Sequence, residues 1–374
     1  GNASLVSDRI GFFNDQIRDG LKGGVFDGIT APGYLNGAMV YAPAVSYGIR
    51  ANTYGKGCRW EAQSPNQCVT YASCHDNFTL YDKLTGTNHG TSADFRTRYA
   101  DVIEQNKLSS AIVLSSQGIN LMLAGEEMGR SKDGDENSYK SPATLNMIDW
   151  NLLQTNTDLV SYYKGMMEIR KAFSPFTASK SDSADDTYSY YFSTSMASAN
   201  RTIAYTVENN KEGEWNKVAV MFNGGTTEAV QTLKSSVDKS LSDDTQWVII
   251  ANDTSAGVKK LAEVTGLTFT IPASSAIIAV EKTTFEQCSP DKTLSKVTIN
   301  HFDNETGKII RTNTISGMQG ESYNALPDTT IPLKYELVKT EGEVTGKFDA
   351  TDKVVNYYYD RYIPSTFTVE NGDV

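Results

Sequence analysis

Cysteine and histidine are scarce in this chain of 374 residues, which contains four cysteines and three histidines. The four cysteines are too few and too scattered for a disulfide scaffold, and no pair of CxxC motifs indicates a zinc site. Cys58 and Cys68 either form one bridge across a loop in an oxidising compartment or remain free thiols. We expect Cys74 to be a small buried hydrophobic residue.

Excess positive charge and long apolar runs are also missing. The formal net charge is -11, and no cluster of lysine and arginine offers a surface for phosphate groups, which excludes nucleic acid as an expected partner. No apolar run approaches the roughly 18 to 20 residues that span a bilayer. The remaining composition, 39% hydrophobic and 21% charged, is typical of a globular protein with two or three domains.

No methionine stands at the start, and Gly1 leads within ten residues to a strand-like segment. We therefore expect the chain to be the later part of a longer polypeptide. The first region, residues 1–176, alternates strand-like and helix-like segments, which predicts an α/β fold with a parallel sheet and right-handed crossovers. The predicted strands are 10–13, 69–74 and 119–124, and the predicted helices are 15–22 with Asn14 as its cap, 98–115 and 159–173. Three such units are too few to close a barrel of eight strands.

The rest of the chain has a sequence pattern that is typical of β-structure. Short apolar runs separated by glycine and asparagine clusters predict an antiparallel β-sandwich over residues 177–283. Residues 284–295 are a predicted linker, 296–362 a small all-β module, and 363–374 a polar tail.

Candidate functional residues cluster where the apolar strands end. The strand 69–74 stops at His75 and Asp76, and the next strand is followed by Glu126 and Glu127. The carboxyl ends of parallel strands carry the chemistry in such folds, and sugar hydroxyls are suitable partners for an imidazole and a carboxylate. Alone, the His-Asp pair is weak evidence, because a structural histidine is the commoner outcome.

Two further observations bear on this sheet edge. Glu127 beside Arg130 is more often a structural ion pair than a catalytic acid. The long polar loop after Asp133 contains Asn137 and Tyr139, and loops of that length over a sheet edge are often functional.

Ordered motifs in the first region resemble type I pullulanases of the alpha-amylase superfamily, glycoside hydrolase family 13. They lie, in the family's order, at residues 13–24, 71–84, 124–132, 135–139 and 146–150. The resemblance implies the C-terminal part of a (β/α)8 TIM barrel, followed by the family's β-sandwich. The third region resembles mucin-binding-type (MucBP) repeats of Gram-positive surface proteins.

The resemblance implies retaining hydrolysis of α-1,6 bonds in pullulan, amylopectin and limit dextrins. Such a mechanism needs a nucleophile and a general acid about 5 Å apart. In this family both lie on earlier barrel strands, so the partner that this chain requires is the upstream part of the barrel. By resemblance, Asp76 is the third carboxylate, which stabilises the transition state, and His75 binds the same sugar. No cofactor is required, and a structural calcium ion is compatible with the resemblance.

Further contacts follow from the same resemblance. Arg130, Asn137 and Tyr139 would line the minus subsites, although residues 140–143 depart from the family's usual Asn-Ser-Gly-Asp. Asn77 would face the plus side, or else cap the strand end. Isoamylase or another α-glucan hydrolase is the alternative enzyme. A surface fragment that binds mucin, another glycan or the cell wall is the alternative class, and the resemblance implies an extracellular or cell-surface location in a Gram-positive bacterium.

Overall fold

The computed structural model describes residues 3–54, 57–194, 202–288, 295–317, 320–328, 331, 335–349 and 351–361. The predicted tail and the linker residues 289–294 lie outside the described residues. The chain forms two compact units, Gly1–Ser289 and Pro290–Val374. No helix within the described part of the chain has the length and apolar character needed to cross a bilayer.

A short parallel sheet holds the candidate residues of the first unit. Its strands, in the order in which they pair, are β1 (Phe12–Phe13), β2 (Cys68–Thr70) and β3 (Ile119–Asn120). The parallel sheet and its three strand positions were predicted, but the paired segments are shorter than the predicted six residues in β2 and β3. Pairing of β2 with β1 ends at Val69 and with β3 at Thr70, and Asn14, directly after β1, already caps a helix.

Helices connect these strands and cover them. The first begins where predicted, because the Asn14 side chain accepts a hydrogen bond from the Ile17 amide at 3.3 Å, and it ends at a glycine. Among the described residues, seven α-helices precede the β-rich part of the first unit: α1 (Asp15–Lys22), α2 (Ala42–Ile49), α3 (Leu80–His89), α4 (Ala100–Ser115), α5 (Ala143–Asn146), α6 (Leu152–Thr155) and α7 (Thr157–Ala172).

The β-rich part of the first unit contains a six-stranded antiparallel sheet, ordered β4-β5-β6-β11-β8-β9, and a two-stranded sheet of β7 and β10. The strands are β4 (Tyr188–Phe192), β5 (Thr202–Asn209), β6 (Lys217–Asn223), β7 (Ala229–Thr232), β8 (Gln246–Ala251), β9 (Ala262–Thr265), β10 (Thr268–Ile271) and β11 (Ser275–Glu281). One hydrophobic core joins this sheet to the helices, since Leu108 and Tyr163 share a cluster with Tyr205 and Phe222. The domain boundaries remain predictions.

A helix, α8 (Lys282–Cys288), follows β11 and occupies the first part of the predicted linker. The second unit then forms a four-stranded sheet, ordered β13-β12-β17-β15, in which β12 and β17 run parallel, and a two-stranded sheet of β14 and β16. Its strands are β12 (Ser295–Asp303), β13 (Ile309–Gly317), β14 (Ser322–Asn324), β15 (Tyr335–Glu341), β16 (Thr345–Lys347) and β17 (Lys353–Arg361). This unit has a core of its own, which includes Val297, Phe348 and Tyr357.

Candidate active site

A cavity of about 400 Å³ lies beyond the carboxyl ends of β1 and β2. Helix α1 provides one wall, and the segment that leaves β2 provides another. The residues that line it are Phe13, Asp15, Arg18, Lys22, Val25, Phe26, Tyr71, Cys74, His75, Asp76 and Asn77. The structure therefore brings three sequence-predicted site residues, His75, Asp76 and Asn77, into one cavity with charged and aromatic neighbours.

His75 and Asp76 present their polar atoms to solvent. Their side chains are 80% and 82% exposed, and His75 Nε2 lies 3.2 Å from Asp76 Oδ2. The exposed pair is available to bind a polar ligand such as a sugar.

Asn77 has the structural role that the sequence left open. Its backbone has a φ of 65°, in the left-handed region that asparagine tolerates. The side-chain amide donates to the Val25 carbonyl at 2.9 Å and accepts from the Phe78 amide at 2.9 Å. Asn77 thus fixes the turn that carries His75 and Asp76, while its contact with the plus side of a substrate stays a prediction.

One wall of the cavity is a hydrogen-bonded group that sequence reasoning did not single out. The Tyr71 hydroxyl donates to Asp15 Oδ1 at 3.0 Å and accepts from Arg18 Nη1 at 3.0 Å. Arg18 also forms an ion pair with Asp15 at 2.8 Å, and the Nε of Arg18 lies 2.8 Å from the Asp19 carboxylate. The spacing of Asp15, Arg18 and Lys22 along one face of α1 was the available signal.

Beneath the strand end lies a buried carboxyl group, Glu126. It accepts hydrogen bonds from the Ser73 hydroxyl and, at 3.2 Å, from the Tyr163 hydroxyl. Burial raises the pKa of Glu126 to about 7, against the opposing effects of Ser73 and of the nearby Lys22. Burial likewise lowers the pKa of Lys22 to about 8. Burial thus disfavours the charged form of both groups, and Glu126 contacts Ser73, in the segment that leads to Asp76.

The other predicted subsite residues lie elsewhere. Arg130 is buried and donates to the backbone carbonyls of Ala124, at 2.9 Å, and of Asn146. The sequence had instead favoured an ion pair between Arg130 and Glu127. Glu127 instead accepts from the Gly125 amide at 3.0 Å. The backbone contacts prevail because a planar guanidinium can satisfy several carbonyl groups at a loop closure.

Arg130 lines a second cavity of about 310 Å³, together with Tyr81 and Arg98. Asn137 and Tyr139 lie on the exposed loop, and Tyr139 is 73% exposed. None of these three predicted subsite residues lines the cavity of His75 and Asp76. Their contacts with a substrate stay predictions.

The four cysteines are free, and Cys68 is buried. Its sulfur accepts a hydrogen bond from the Asn14 side chain at 3.2 Å, and burial raises the pKa of its thiol to about 12. Of the two alternatives for Cys58 and Cys68, the structure has the free thiols. Cys74 is half-buried rather than fully buried, because it faces the cavity.

Several solved structures similar to this chain are pullulanases, which are glycoside hydrolases. The pullulanase from Bacillus acidopullulyticus superimposes with a TM-score of 0.61 and 29% identity, over 73% of this chain and 30% of that chain. Pullulanase complexed with maltotetraose from Anoxybacillus sp. LM18-11 superimposes with a TM-score of 0.58 and 28% identity, over 73% of this chain and 35% of that chain.

Curated sequences give the same relationship. The pullulanase of Bacillus subtilis (strain 168) is 35% identical over 167 residues, which are 45% of this chain and 22% of that protein. The chain therefore spans about a fifth of the length of this relative. Residues 296–360 match the model of the MucBP domain. Both resemblances stated from the sequence motifs are thereby confirmed.

Proposed function

We propose that this chain is part of a starch- and pullulan-debranching glycoside hydrolase, which cleaves α-1,6-glucosidic bonds with retention of configuration. Its substrates would be pullulan, amylopectin and limit dextrins. One observation carries the proposal: the exposed His75–Asp76 pair stands at the mouth of a cavity beyond a parallel sheet, in a region similar to pullulanases. A solved relative that was complexed with maltotetraose supports an α-glucan ligand.

The three parallel strands would be the C-terminal part of a (β/α)8 barrel. Two features support this assignment. Apolar side chains on β1 and β3 are half-exposed, with Phe13 at 49% and Ile119 at 50%. In addition, β1 and β3 are the outer strands of the sheet and each pairs with β2 alone. Open edges and exposed apolar groups on a parallel sheet are what further barrel strands would cover.

Asp76 would act on the sugar whose bond is cleaved. Its carboxylate accepts hydrogen bonds from sugar hydroxyls, and these bonds strengthen as the ring flattens towards the oxocarbenium-like transition state. The imidazole of His75, which lies 3.2 Å from the Asp76 carboxylate, would bind the same sugar. The nucleophile and the general acid would lie on upstream strands, so this chain alone would not cleave a bond.

The test compares the 374-residue chain with a protein in which the upstream barrel strands are joined to it. Release of reducing ends from pullulan is expected from the joined protein and not from the chain alone. Activity of the purified chain alone would contradict the assignment of the nucleophile to upstream strands. Activity of the joined protein on amylopectin but not on pullulan would favour an isoamylase.

A second function is favoured for the terminal unit by the match of residues 296–360 to the MucBP domain. We propose that this unit contacts mucin, another glycan or the cell wall, in a protein that is extracellular or on the surface of a Gram-positive bacterium. Deletion of residues 296–374 should abolish retention on mucin-coated beads and leave hydrolysis of soluble pullulan nearly unchanged. Unchanged retention would contradict the binding role, and a large loss of hydrolysis would place this unit at the active site.

A further inference from the structure

The side chains of Cys74, His75 and Asp76 form a group of three metal-ligand types at the mouth of the cavity. The thiol sulfur, an imidazole nitrogen and a carboxylate oxygen all lie within 4.8 Å of one another. His75 Nε2 and Asp76 Oδ2 are 3.2 Å apart, close to the separation of two ligands on one metal ion. The sequence assigned no metal ligand, because it contains no spaced ligand motif.

We propose that Cys74, His75 and Asp76 bind a divalent cation of the zinc class, and that the bound ion blocks the sugar site. A thiolate, an imidazole and a carboxylate are the donor set that zinc prefers, whereas calcium and magnesium prefer oxygen ligands alone. Three protein ligands leave a fourth position for water. Binding converts the thiol into a metal-bound thiolate and releases its proton to solvent.

The surroundings set the strength of this site. The positive charges of Arg18 and Lys22, which line the same cavity, oppose the binding of a metal cation, while the negative charge of Asp15 favours it. His75 and Asp76 are exposed, so the ion would remain in contact with water. We therefore expect weaker binding than at a closed structural zinc site, which has four protein ligands.

The consequence for function rests on the proposed hydrolase activity, whereas the metal binding itself does not. The metal ion would use the imidazole of His75 and the carboxylate of Asp76, the two groups that we propose for sugar binding. A metal ion and a substrate would thus compete for binding to His75 and Asp76. Zinc would act as a reversible inhibitor of this protein through a thiol that stands directly beside the sugar-binding pair.

Metal binding is tested by titrating the 374-residue chain with Co²⁺ and with Zn²⁺. One equivalent should bind, with a thiolate-to-cobalt absorption band and release of a proton. Cys74→Ser should abolish the band, and His75→Asn should weaken binding at least about tenfold, because each removes one of three ligands. Cys58→Ser removes another half-buried thiol and should leave binding unchanged. Absence of binding, or a band that survives in Cys74→Ser, would overturn the proposal.

Inhibition is tested in the protein joined to its upstream strands. Zn²⁺ should lower the initial rate of pullulan hydrolysis in the parent and in Cys58→Ser, and this sensitivity should be lost in Cys74→Ser. Each variant is compared with its own rate in the presence of a chelator. Equal zinc sensitivity of Cys74→Ser would refute the inhibitory role. A joined protein without activity would contradict the proposed function and leave the cobalt result intact.

Discussion

The two compact units differ in the length of their parallel strands. In the first unit the parallel sheet has strands of two or three residues, with half-exposed Phe13 and Ile119 on its outer strands. In the second unit β12 and β17 are nine residues long and pair in parallel over a local core. From this difference we expect the second unit to unfold independently of the first, and the short parallel sheet of the first unit to depend on the further strands of the proposed barrel.

The tryptophans give a way to observe one unit alone. All four, Trp60, Trp150, Trp215 and Trp247, lie in the first unit. Trp215 and Trp247 are buried. Tryptophan fluorescence during urea unfolding therefore reports the first unit, and amide hydrogen exchange of residues 295–361 reports the second.

The largest expected effect on stability comes from the buried ion pair of Lys217 and Asp238. Its atoms are 2.6 Å apart, and both side chains are nearly inaccessible to solvent. Lys217→Met leaves a buried carboxylate unpaired and should lower the free energy of unfolding of the first unit by about 4 kcal/mol. The exposed pair of Lys260 and Glu263 provides the control, since Lys260→Met should cost less than about 1 kcal/mol.

A parallel loss in hydrogen-exchange protection of the second unit would show that the two units unfold together. That result would contradict the independent unfolding of the second unit.

The next effect belongs to the second unit. Phe348 is 6% exposed and packs against Tyr323, with ring centroids 5.3 Å apart. Phe348→Ala should reduce the protection of residues 295–361 by about 3 kcal/mol and leave the tryptophan transition of the first unit unchanged. Val354→Ala, at a half-exposed position, is the matched control. A shifted tryptophan transition would contradict the independence of the units.

A smaller effect is the pH dependence that Glu126 gives to the first unit. Because burial raises its pKa from 4.5 to about 7, the folded chain binds more protons than the unfolded chain between these values. Stability is therefore greatest below about pH 4.5 and falls by about 2 kcal/mol between about pH 5 and about pH 7. Glu126→Gln should remove this slope in urea unfolding monitored by tryptophan fluorescence. An unchanged slope would refute the pKa shift.

The smallest effect is expected at Tyr139. Because this side chain is 73% exposed and lies outside the cavity of Asp76, Tyr139→Ala in the joined protein should raise KM for pullulan by no more than about threefold. The value of kcat should not change. A large fall in kcat would show that the loop closes over the cavity and would sharpen the boundary of the site.

Local features of the fold were predictable, whereas long-range ones were not. Helix α1 matches its prediction at both ends because an Asn14 cap and a terminal glycine are local signals. The length of β2 was overestimated, since residues 71–74 are apolar or small but have no paired neighbour. The cap that ends β1 is a local signal, whereas the pairing of β2 depends on two segments far away in the sequence.

The candidate site shows the same division. His75 and Asp76 were predicted from the polarity change at a strand end and from the resemblance. Glu126 was noted in the sequence, but its hydrogen-bond partners were not predicted. Ser73 is 53 positions and Tyr163 is 37 positions away from it along the chain. Sequence spacing carries no signal for such contacts. The metal-ligand arrangement of Cys74 also depends on side-chain directions, which only the structure supplies.

The most direct test of the central claim is the rate of pullulan hydrolysis by the joined protein with Asp76→Asn. This change removes the carboxylate charge and keeps the shape of the side chain. Turnover should fall on the order of 10³-fold or more, because the lost contact acts mainly in the transition state. Asp243→Asn, at an exposed aspartate of the β-rich part, should leave the rate unchanged. Near-normal turnover of Asp76→Asn would remove Asp76 from the mechanism.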